Sequence, residues 1–224
     1  MRIAIPEFAL VLLIGPSGSG KSTFARKHFR QSEILSSDYC RYLVSDDEND
    51  QSATDDAFRV LHLVAAKRLA RGKLTVIDAT NVQTRARKPL LALARRFYAP
   101  TVAIAFNVPE GACLARNAAR AGRTVAQSVI SKQRTDMATA LSRLAREGFE
   151  KVYIIDEIAE IDSAEIVRES CLSSHYRHRT QYGRLWTTSS VSLPGFRKSW
   201  SVFSKISRRI LRCIVEVFGW RRQV

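Results

Sequence analysis

The sequence has few cysteines and no long apolar run. Its four cysteines are far apart, with no C-x-x-C pair and no secretory leader ahead of them. Such a pattern indicates a reduced, cytoplasmic protein without a disulfide framework. No uninterrupted apolar stretch approaches the ~20 residues that span a bilayer, so we expect no integral membrane segment. His175 and His178 have a metal-like spacing, but no third ligand accompanies them, which favours a solvated segment.

Two classes of nucleotide-binding protein are also disfavoured by what is missing. No Asn-Lys-x-Asp motif is present, which argues against a GTPase, and 224 residues are too few for the sensor and oligomerisation regions of ring-shaped motor ATPases. The net charge of +15 is unevenly distributed. Residues 1–170 contain 25 Lys and Arg against 20 Asp and Glu, whereas residues 171–224 contain 11 against 1. The overall charge therefore does not predict that the main domain binds nucleic acid.

The sequence does contain a complete phosphate-binding loop. Residues 15–22 read Gly-Pro-Ser-Gly-Ser-Gly-Lys-Ser, preceded by an apolar run at 9–14 and followed by helix formers at 23–30. The glycines let backbone N–H groups point at a β-phosphate, Lys21 reaches the β and γ oxygens, and the Ser22 hydroxyl can hold Mg²⁺. This order predicts a nucleoside triphosphate site. The loop residues predicted to bind the nucleotide are Gly15, Ser17, Gly18, Ser19, Gly20, Lys21, Ser22 and Thr23.

Apolar runs and helical stripes alternate along the chain behind this loop. This alternation predicts an α/β fold of the P-loop NTPase type, a five-stranded parallel sheet with helices on both faces and an arginine-bearing lid. Its ligand crevice is expected at the carboxyl ends of the strands. The predicted strands are 9–14, 34–37, 74–77, 101–106 and 152–155. The predicted helices are 52–71, 84–97, 109–123, 125–146 and 158–168.

Polar residues follow two of the predicted strands. Asp38 could accept the proton of an attacking hydroxyl, with Arg41 holding a phosphate of the acceptor. The alternative is that Asp38 caps a helix starting at Tyr39 and that Arg41 lies on its surface. Asp78 ends its strand as a Walker B carboxylate does and could order Mg²⁺ through water. Alternatively, this segment is structural, with Thr80 and Asn81 capping the next helix.

Three arginines form a further candidate group. Arg116, Arg120 and Arg123 are spaced four and three apart, so that one helix would present all three on one side. Such a helix can close over a nucleotide and supply positive charge to the phosphoryl group in transfer. A solvated basic face is the alternative, which the neighbouring phosphate loop makes weaker.

Four segments together resemble one enzyme family. They are Gly15-Pro-Ser-Gly-Ser-Gly-Lys-Ser-Thr-Phe24, Ser36-Ser-Asp-Tyr-Cys-Arg41, the acidic Ser45 to Asp56, and Leu74-Thr-Val-Ile-Asp-Ala-Thr-Asn-Val82. In this order, over residues 8–168, the chain resembles the kinase domain of bacterial polynucleotide kinase-phosphatase, an RNA end-healing and sealing enzyme.

The resemblance implies transfer of the γ-phosphate of ATP, with Mg²⁺, to the 5′-hydroxyl end of RNA or DNA. Lys21 and Ser22 would take the phosphate and magnesium roles, and Asp38 that of general base. Arg41 would contact the acceptor's 3′-phosphate, and Arg116 the donor phosphates. Arg120 and Arg123 occupy matching lid positions. The acidic run has no role that its residues explain.

The carboxyl-terminal region departs from this family. We assign residues 1–170 to the kinase domain and 171–224 to a basic, atypical tail that is disordered, an amphipathic helix or an out-of-frame extension. The family's phosphatase and ligase domains are expected to be absent, since no Gly-Asp-x-His-Gly motif follows residue 170. Two alternative functions remain: a small-molecule or nucleotide kinase, and a non-catalytic ATP-binding remnant of a repair enzyme.

Overall fold

The computed structural model describes residues 1–119 and 125–170, and the predicted tail lies outside them. The strands in these residues are β1 (Arg2–Pro6), β2 (Leu10–Ile14), β3 (Ile34–Ser36), β4 (Thr75–Asp78), β5 (Thr101–Phe106), β6 (Lys151–Ile155) and β7 (Glu165–Glu169). The helices are α1 (Lys21–His28), α2 (Ser37–Ser45), α3 (Thr54–Ala70), α4 (Thr84–Arg96), α5 (Glu110–Ala118), α6 (Gln127–Leu144) and α7 (Ile158–Ser163).

Five strands form the predicted parallel sheet, in the order β3-β4-β2-β5-β6. The central strand β2 pairs with β4 on one side and β5 on the other, so that Leu13 lies opposite both Asp78 and Ile104. All residues of β2 and β5 are buried. A strand that is covered on both faces needs a continuous apolar run rather than alternating apolar and polar residues, and this is why both strands could be predicted from the sequence. The predicted fold class is confirmed.

Each face of the sheet carries its own hydrophobic core. Val11 and Leu13 point to the side of α1, where Phe24 packs edge-on against Phe106 with ring centroids 5.3 Å apart. Alternate residues of β2 point to the opposite side, where the buried stripes of α3, α4 and α6 cover them. Helices on both faces leave the carboxyl ends of the strands as the open edge for a ligand.

The predicted final helix at 158–168 is wrong in its second half. Helix α7 ends at Ser163, Ala164 is extended, and β7 pairs in parallel with β1 as a separate two-stranded sheet. The β-branched pair Ile166 and Val167 favours a strand, and β1 supplies the backbone partners that a lone strand lacks. The amino-terminal strand β1 had not been predicted. No helix in the described part of the chain is long and apolar enough to cross a membrane.

Candidate active site

The phosphate-binding loop joins the central strand to α1 and depends on two glycines with positive φ. Gly20 (φ 99°) precedes the first residue of α1, and Gly18 (φ 78°) lies against α5. A Cβ at Gly18 would come within 2.2 Å of the Cys113 carbonyl oxygen, so any side chain would force the loop and α5 apart. Both positions therefore require glycine, for conformation and, at Gly18, also for space.

Lys21 lies folded across the loop. Its Nζ donates hydrogen bonds to the Pro16 carbonyl oxygen at 2.8 Å and to Ser19 Oγ at 3.2 Å, and its side chain is buried. The backbone N–H of Ser17 donates to Gln133 Oε1 of α6 at 2.7 Å. A buried ammonium and the N-terminus of α1 place positive charge at the same point, as an anionic phosphate requires.

Asp78 ends β4 beside the loop and is buried. Burial raises the pKa of its carboxyl group. The Lys21 ammonium and a hydrogen bond from the Ser22 hydroxyl act in the opposite direction, whereas the Asp38 carboxylate adds to the rise. Ser22 and Asp78 thus bring oxygen atoms together beside a phosphate loop, and this donor set fits Mg²⁺, which takes only a few protein ligands in addition to phosphate and water.

The segment after β4 is tied to the loop rather than capping the next helix. Gln83 is the residue before α4, so the predicted capping by Thr80 or Asn81 is wrong. The Thr80 carbonyl oxygen accepts from the Gly15 N–H at 2.9 Å, and Asn81 Nδ2 donates to the Leu13 carbonyl oxygen at 2.8 Å. Asn81 has a φ of 48°, a conformation that Asn tolerates better than most residues.

On the other side of the loop, Asp38 lies in the first turn of α2. Ser36 caps this helix by accepting from the Tyr39 N–H at 3.3 Å, so the alternative that Asp38 is the cap is wrong. The Asp38 carboxylate instead accepts from Arg41 Nη1 at 2.9 Å. Arg41 is only 4% exposed, which also excludes the surface position. The same Nη1 donates to the Glu48 carbonyl oxygen at 2.7 Å.

Arg116 approaches the loop from α5. Its Nη1 lies 3.4 Å from the Ser19 carbonyl oxygen, and a Cβ at Gly20 would be 3.2 Å from the same nitrogen. The guanidinium therefore borders the place where phosphates would lie. Helix α5 ends at Ala118, and Arg120 and Arg123 lie outside the described residues.

A single cleft of about 410 Å³ collects most of the predicted site. It is lined by the phosphate loop, by Asp38 of α2, by Asp78 of β4 and by Arg116 of α5. Arg41 is not part of this lining but holds Asp38 from behind. A nucleotide held by the loop and an alcohol beside Asp38 would share one space, which is the arrangement that direct group transfer needs.

Several residues of this neighbourhood were not predicted. Arg26 of α1, Ser37 of α2, and Ile161 and Asp162 of α7 line the cleft, and Gln133 contacts the loop from α6. Gln133 carries the one usable signal, because it lies three residues after Ile130 and four before Met137, in the buried stripe of its helix. A polar residue in such a stripe needs a hydrogen-bond partner.

This fold and cleft define a P-loop kinase domain. A family profile described as "AAA domain" matches residues 10–144, from the first residue of β2 to the last of α6. The chain belongs to this family. The predicted resemblance is thereby confirmed at the level of a P-loop kinase domain.

Several solved structures share the fold. The structure of the Pnkp1/Rnl/Hen1 RNA repair complex is 23% identical with a TM-score of 0.55, and the match covers 62% of this chain and 47% of that one. The PezAT chromosomal toxin–antitoxin system of the human pathogen Streptococcus pneumoniae is 16% identical with a TM-score of 0.50, covering 81% and 86%.

A putative kinase from Chloroflexus aurantiacus J-10-fl is 16% identical with a TM-score of 0.47, covering 68% and 86%. No curated protein matches the chain. The chain spans about half the length of the RNA repair chain that it matches.

Proposed function

We propose that the chain is an ATP-dependent polynucleotide 5′-hydroxyl kinase, with residues 1–170 as its kinase domain. The observation that carries the proposal is the single cleft lined by both the phosphate loop and Asp38. The chain's likeness to a component of an RNA repair complex, together with the four family-like segments, supports a nucleic-acid acceptor. The repair of RNA or DNA ends is the process in which such a reaction is used.

In this proposal the loop N–H groups, Lys21 and Arg116 hold the donor phosphates, with Arg120 and Arg123 as further lid contacts. Asp38 accepts the proton of the 5′-hydroxyl as its oxygen bonds to the γ-phosphorus, and the bond between that phosphorus and the β–γ bridging oxygen breaks to release ADP. Positive charge around the transferred group stabilises a transition state whose charge is spread over phosphoryl oxygens.

Mg²⁺ fits the same cleft. Ser22 would hold it directly and Asp78 through water, and the ion would neutralise charge on the donor phosphates. The raised pKa of Asp78 has burial as its main cause, so a cation nearby would favour the ionised carboxylate.

Arg41 is proposed to contact a phosphate on the acceptor. Its buried Nη1 is engaged with Asp38 and with the Glu48 carbonyl oxygen, while its Nε has no partner among the described residues. Contact with an acceptor phosphate therefore needs a small movement of the turn after α2.

Labelled ATP offered with 5′-hydroxyl oligonucleotides, nucleosides and sugars tests the substrate class. The wild type should label the oligonucleotides, and Asp38→Asn should lower the rate by about 100-fold or more because the general base is lost. Asp56→Ala is the matched control, since this aspartate is exposed and pairs only with Arg59 in the described contacts. It should keep the wild-type rate.

Two outcomes would replace the proposal by an alternative. If nucleosides or sugars were labelled and oligonucleotides were not, the chain would be a small-molecule or nucleotide kinase. ATP binding without transfer to any acceptor would make it a non-catalytic remnant.

A further inference from the structure

Two tyrosine rings stand exposed on α2 immediately outside the cleft. Tyr39 is 56% exposed and Tyr42 is 50% exposed, and their ring centroids are 6.4 Å apart with planes inclined by only 25°. Leu43 and Val44 are exposed on the same helix. Half-exposed aromatic rings gain considerable buried area when a flat apolar partner covers them.

Their position relative to Asp38 is fixed by the helix. Ser37 and Asp38 line the cleft at the first turn of α2, and Tyr42 follows Asp38 by four residues. Residues four apart lie on neighbouring parts of one helix face, about 6 Å apart along the axis. Stacked nucleotides rise about 3.4 Å each along a strand. A strand whose terminal hydroxyl lies at Asp38 thus reaches the tyrosines with its second base.

The charge around the tyrosines favours bases over phosphates. Helix α2 is followed by Asp46, Asp47, Glu48 and Asp50, which together repel a sugar-phosphate backbone. A base is uncharged and has a π-face, so it can stack on tyrosine without a basic track beside it. The acidic residues also disfavour the complementary strand of a duplex at this place.

We propose that Tyr39 and Tyr42 form a stacking subsite for the unpaired base that follows the 5′-terminal nucleotide of the acceptor. This subsite rests on the proposed function, because it takes its orientation from a hydroxyl at Asp38. It gives the enzyme a preference for single-stranded ends of at least two nucleotides over single nucleotides.

The test compares two acceptors, a 5′-hydroxyl trinucleotide and a nucleoside 3′-phosphate, in transfer from labelled ATP. The double variant Tyr39→Leu with Tyr42→Leu should raise the KM for the trinucleotide by about tenfold and leave the KM for the nucleoside 3′-phosphate unchanged. Tyr42→Phe keeps the ring and should behave as the wild type. The ratio of variant to wild-type KM should be the same at low and high salt, because stacking releases few counterions.

Tyr98→Leu is the matched control for losing an exposed tyrosine. Tyr98 is 57% exposed and precedes β5, so it lies at the amino end of the strands, opposite the cleft. It should leave both KM values unchanged.

Three results would overturn the subsite. In the first, the double variant has the same KM for the trinucleotide as the wild type. In the second, the KM rises equally for both acceptors. In the third, both KM values are unchanged, but light scattering shows that the double variant has lost self-association. The last would make the tyrosines a protein contact.

Binding separates this proposal from the proposed function. A fluorescently labelled trinucleotide is titrated against the wild type and the double variant in anisotropy measurements. If the wild type binds it in a tyrosine-dependent way but transfers no phosphate, the kinase function fails, and the tyrosines bind bases without being a subsite for an acceptor. If the wild type transfers phosphate and the tyrosines affect neither binding nor KM, the subsite fails alone.

Discussion

The cleft has two sides, which we call the donor half, with the phosphate loop at residues 15–22, and the acceptor half, with Asp38 of α2. A buried arginine supports each half, and the two arginines differ in how many of their nitrogens donate hydrogen bonds. Arg87 of α4 donates through Nε and Nη2 to both carboxylate oxygens of Glu147, and through Nη1 to the Asn81 carbonyl oxygen. Arg41 of α2 uses one nitrogen for both Asp38 and the Glu48 carbonyl oxygen. Its Nε has no partner in the described part of the chain, whereas every nitrogen of Arg87 has one.

The difference distinguishes a fully bonded buried arginine from an incompletely bonded one. Arg87 donates to the Asn81 carbonyl oxygen, and Asn81 Nδ2 donates to the strand that enters the phosphate loop, whereas Asn81 Oδ1 has no partner among the described residues. Arg41 holds a carboxylate that faces the cleft and remains 29% exposed. Buried polar groups that lack partners cost stability, and such costs are concentrated at functional sites. Each half contains one such buried atom, Arg41 Nε in one and Asn81 Oδ1 in the other, so the halves differ in how fully the arginine itself is bonded.

The largest expected effect comes from replacing Arg87, the arginine whose nitrogens all have partners. Arg87→Met should lower the free energy of unfolding by about 3 kcal/mol, because it leaves the Glu147 carboxylate, only 10% exposed, with the Thr84 hydroxyl as its remaining hydrogen-bond donor. Arg41→Met should cost only about 1–2 kcal/mol, because Asp38 keeps access to water. Urea unfolding followed by circular dichroism measures both. Equal losses in the two variants would remove the distinction between the halves.

The pH dependence of stability checks the same pair independently. Burial alone would raise the pKa of Glu147, but the hydrogen bonds and charge of Arg87, together with the Thr84 hydroxyl and the charge of Arg143, outweigh burial and hold the pKa below its ordinary value of 4.5. A group with a lowered folded pKa contributes stability above its unfolded pKa and loses it as pH falls through the folded one. The wild type should therefore lose stability more steeply below pH 4.5 than Glu147→Gln does.

The donor half was largely predictable from sequence because it depends on backbone and on buried strands. The loop needs glycine at Gly18 and Gly20, lysine at Lys21 and an apolar strand before it, and all of these are visible as residue types at fixed spacing. The ion pair between Arg87 and Glu147 could not be predicted from the sequence, because Glu147 lies 60 residues further along the chain. Only the fold brings these two charges together.

The acceptor half was less predictable. Asp38 was placed correctly after an edge strand, but the same residues also fitted a cap and a surface arginine. Ser36, which caps α2, excludes the cap, and the turn after α2, which brings the Glu48 carbonyl oxygen to the buried Arg41, excludes the surface arginine. The acidic run therefore acts here through its backbone, which residue types alone do not reveal. The helix predicted for β7 failed for a similar reason, since its strand partner β1 is more than 150 residues away.

The second-largest expected effect tests the close contact between the phosphate loop and α5 at Gly18. Gly18→Ala places a methyl group 2.2 Å from the Cys113 carbonyl oxygen, so the loop must move. Displacement of a phosphate cradle by about 1 Å is expected to weaken transfer by about 100-fold, with a higher KM for ATP and an unchanged KM for the acceptor. Initial rates over a grid of both substrates give these constants separately.

Gly148→Ala is the matched control for this substitution. Gly148 also has a positive φ, 93°, but a Cβ there meets nothing within 4 Å. It therefore carries the conformational cost of about 1–2 kcal/mol without the collision. If both variants lost activity equally, backbone strain rather than the contact with α5 would explain the effect.

The smallest expected effect tests whether the acidic turn holds Arg41 in place. Asp50 accepts hydrogen bonds from the Ser52 N–H at 2.9 Å and the Ser52 hydroxyl at 2.6 Å, and so ends the turn that carries Glu48. Asp50→Ala removes these hydrogen bonds and frees the Glu48 carbonyl oxygen to leave Arg41. We expect a severalfold rise in the KM for the acceptor and no change in the KM for ATP, measured beside Asp50→Asn, which keeps a capping oxygen. If Asp50→Ala raised the KM for ATP instead, the turn would serve the donor half, and the separation of the two supports would be wrong.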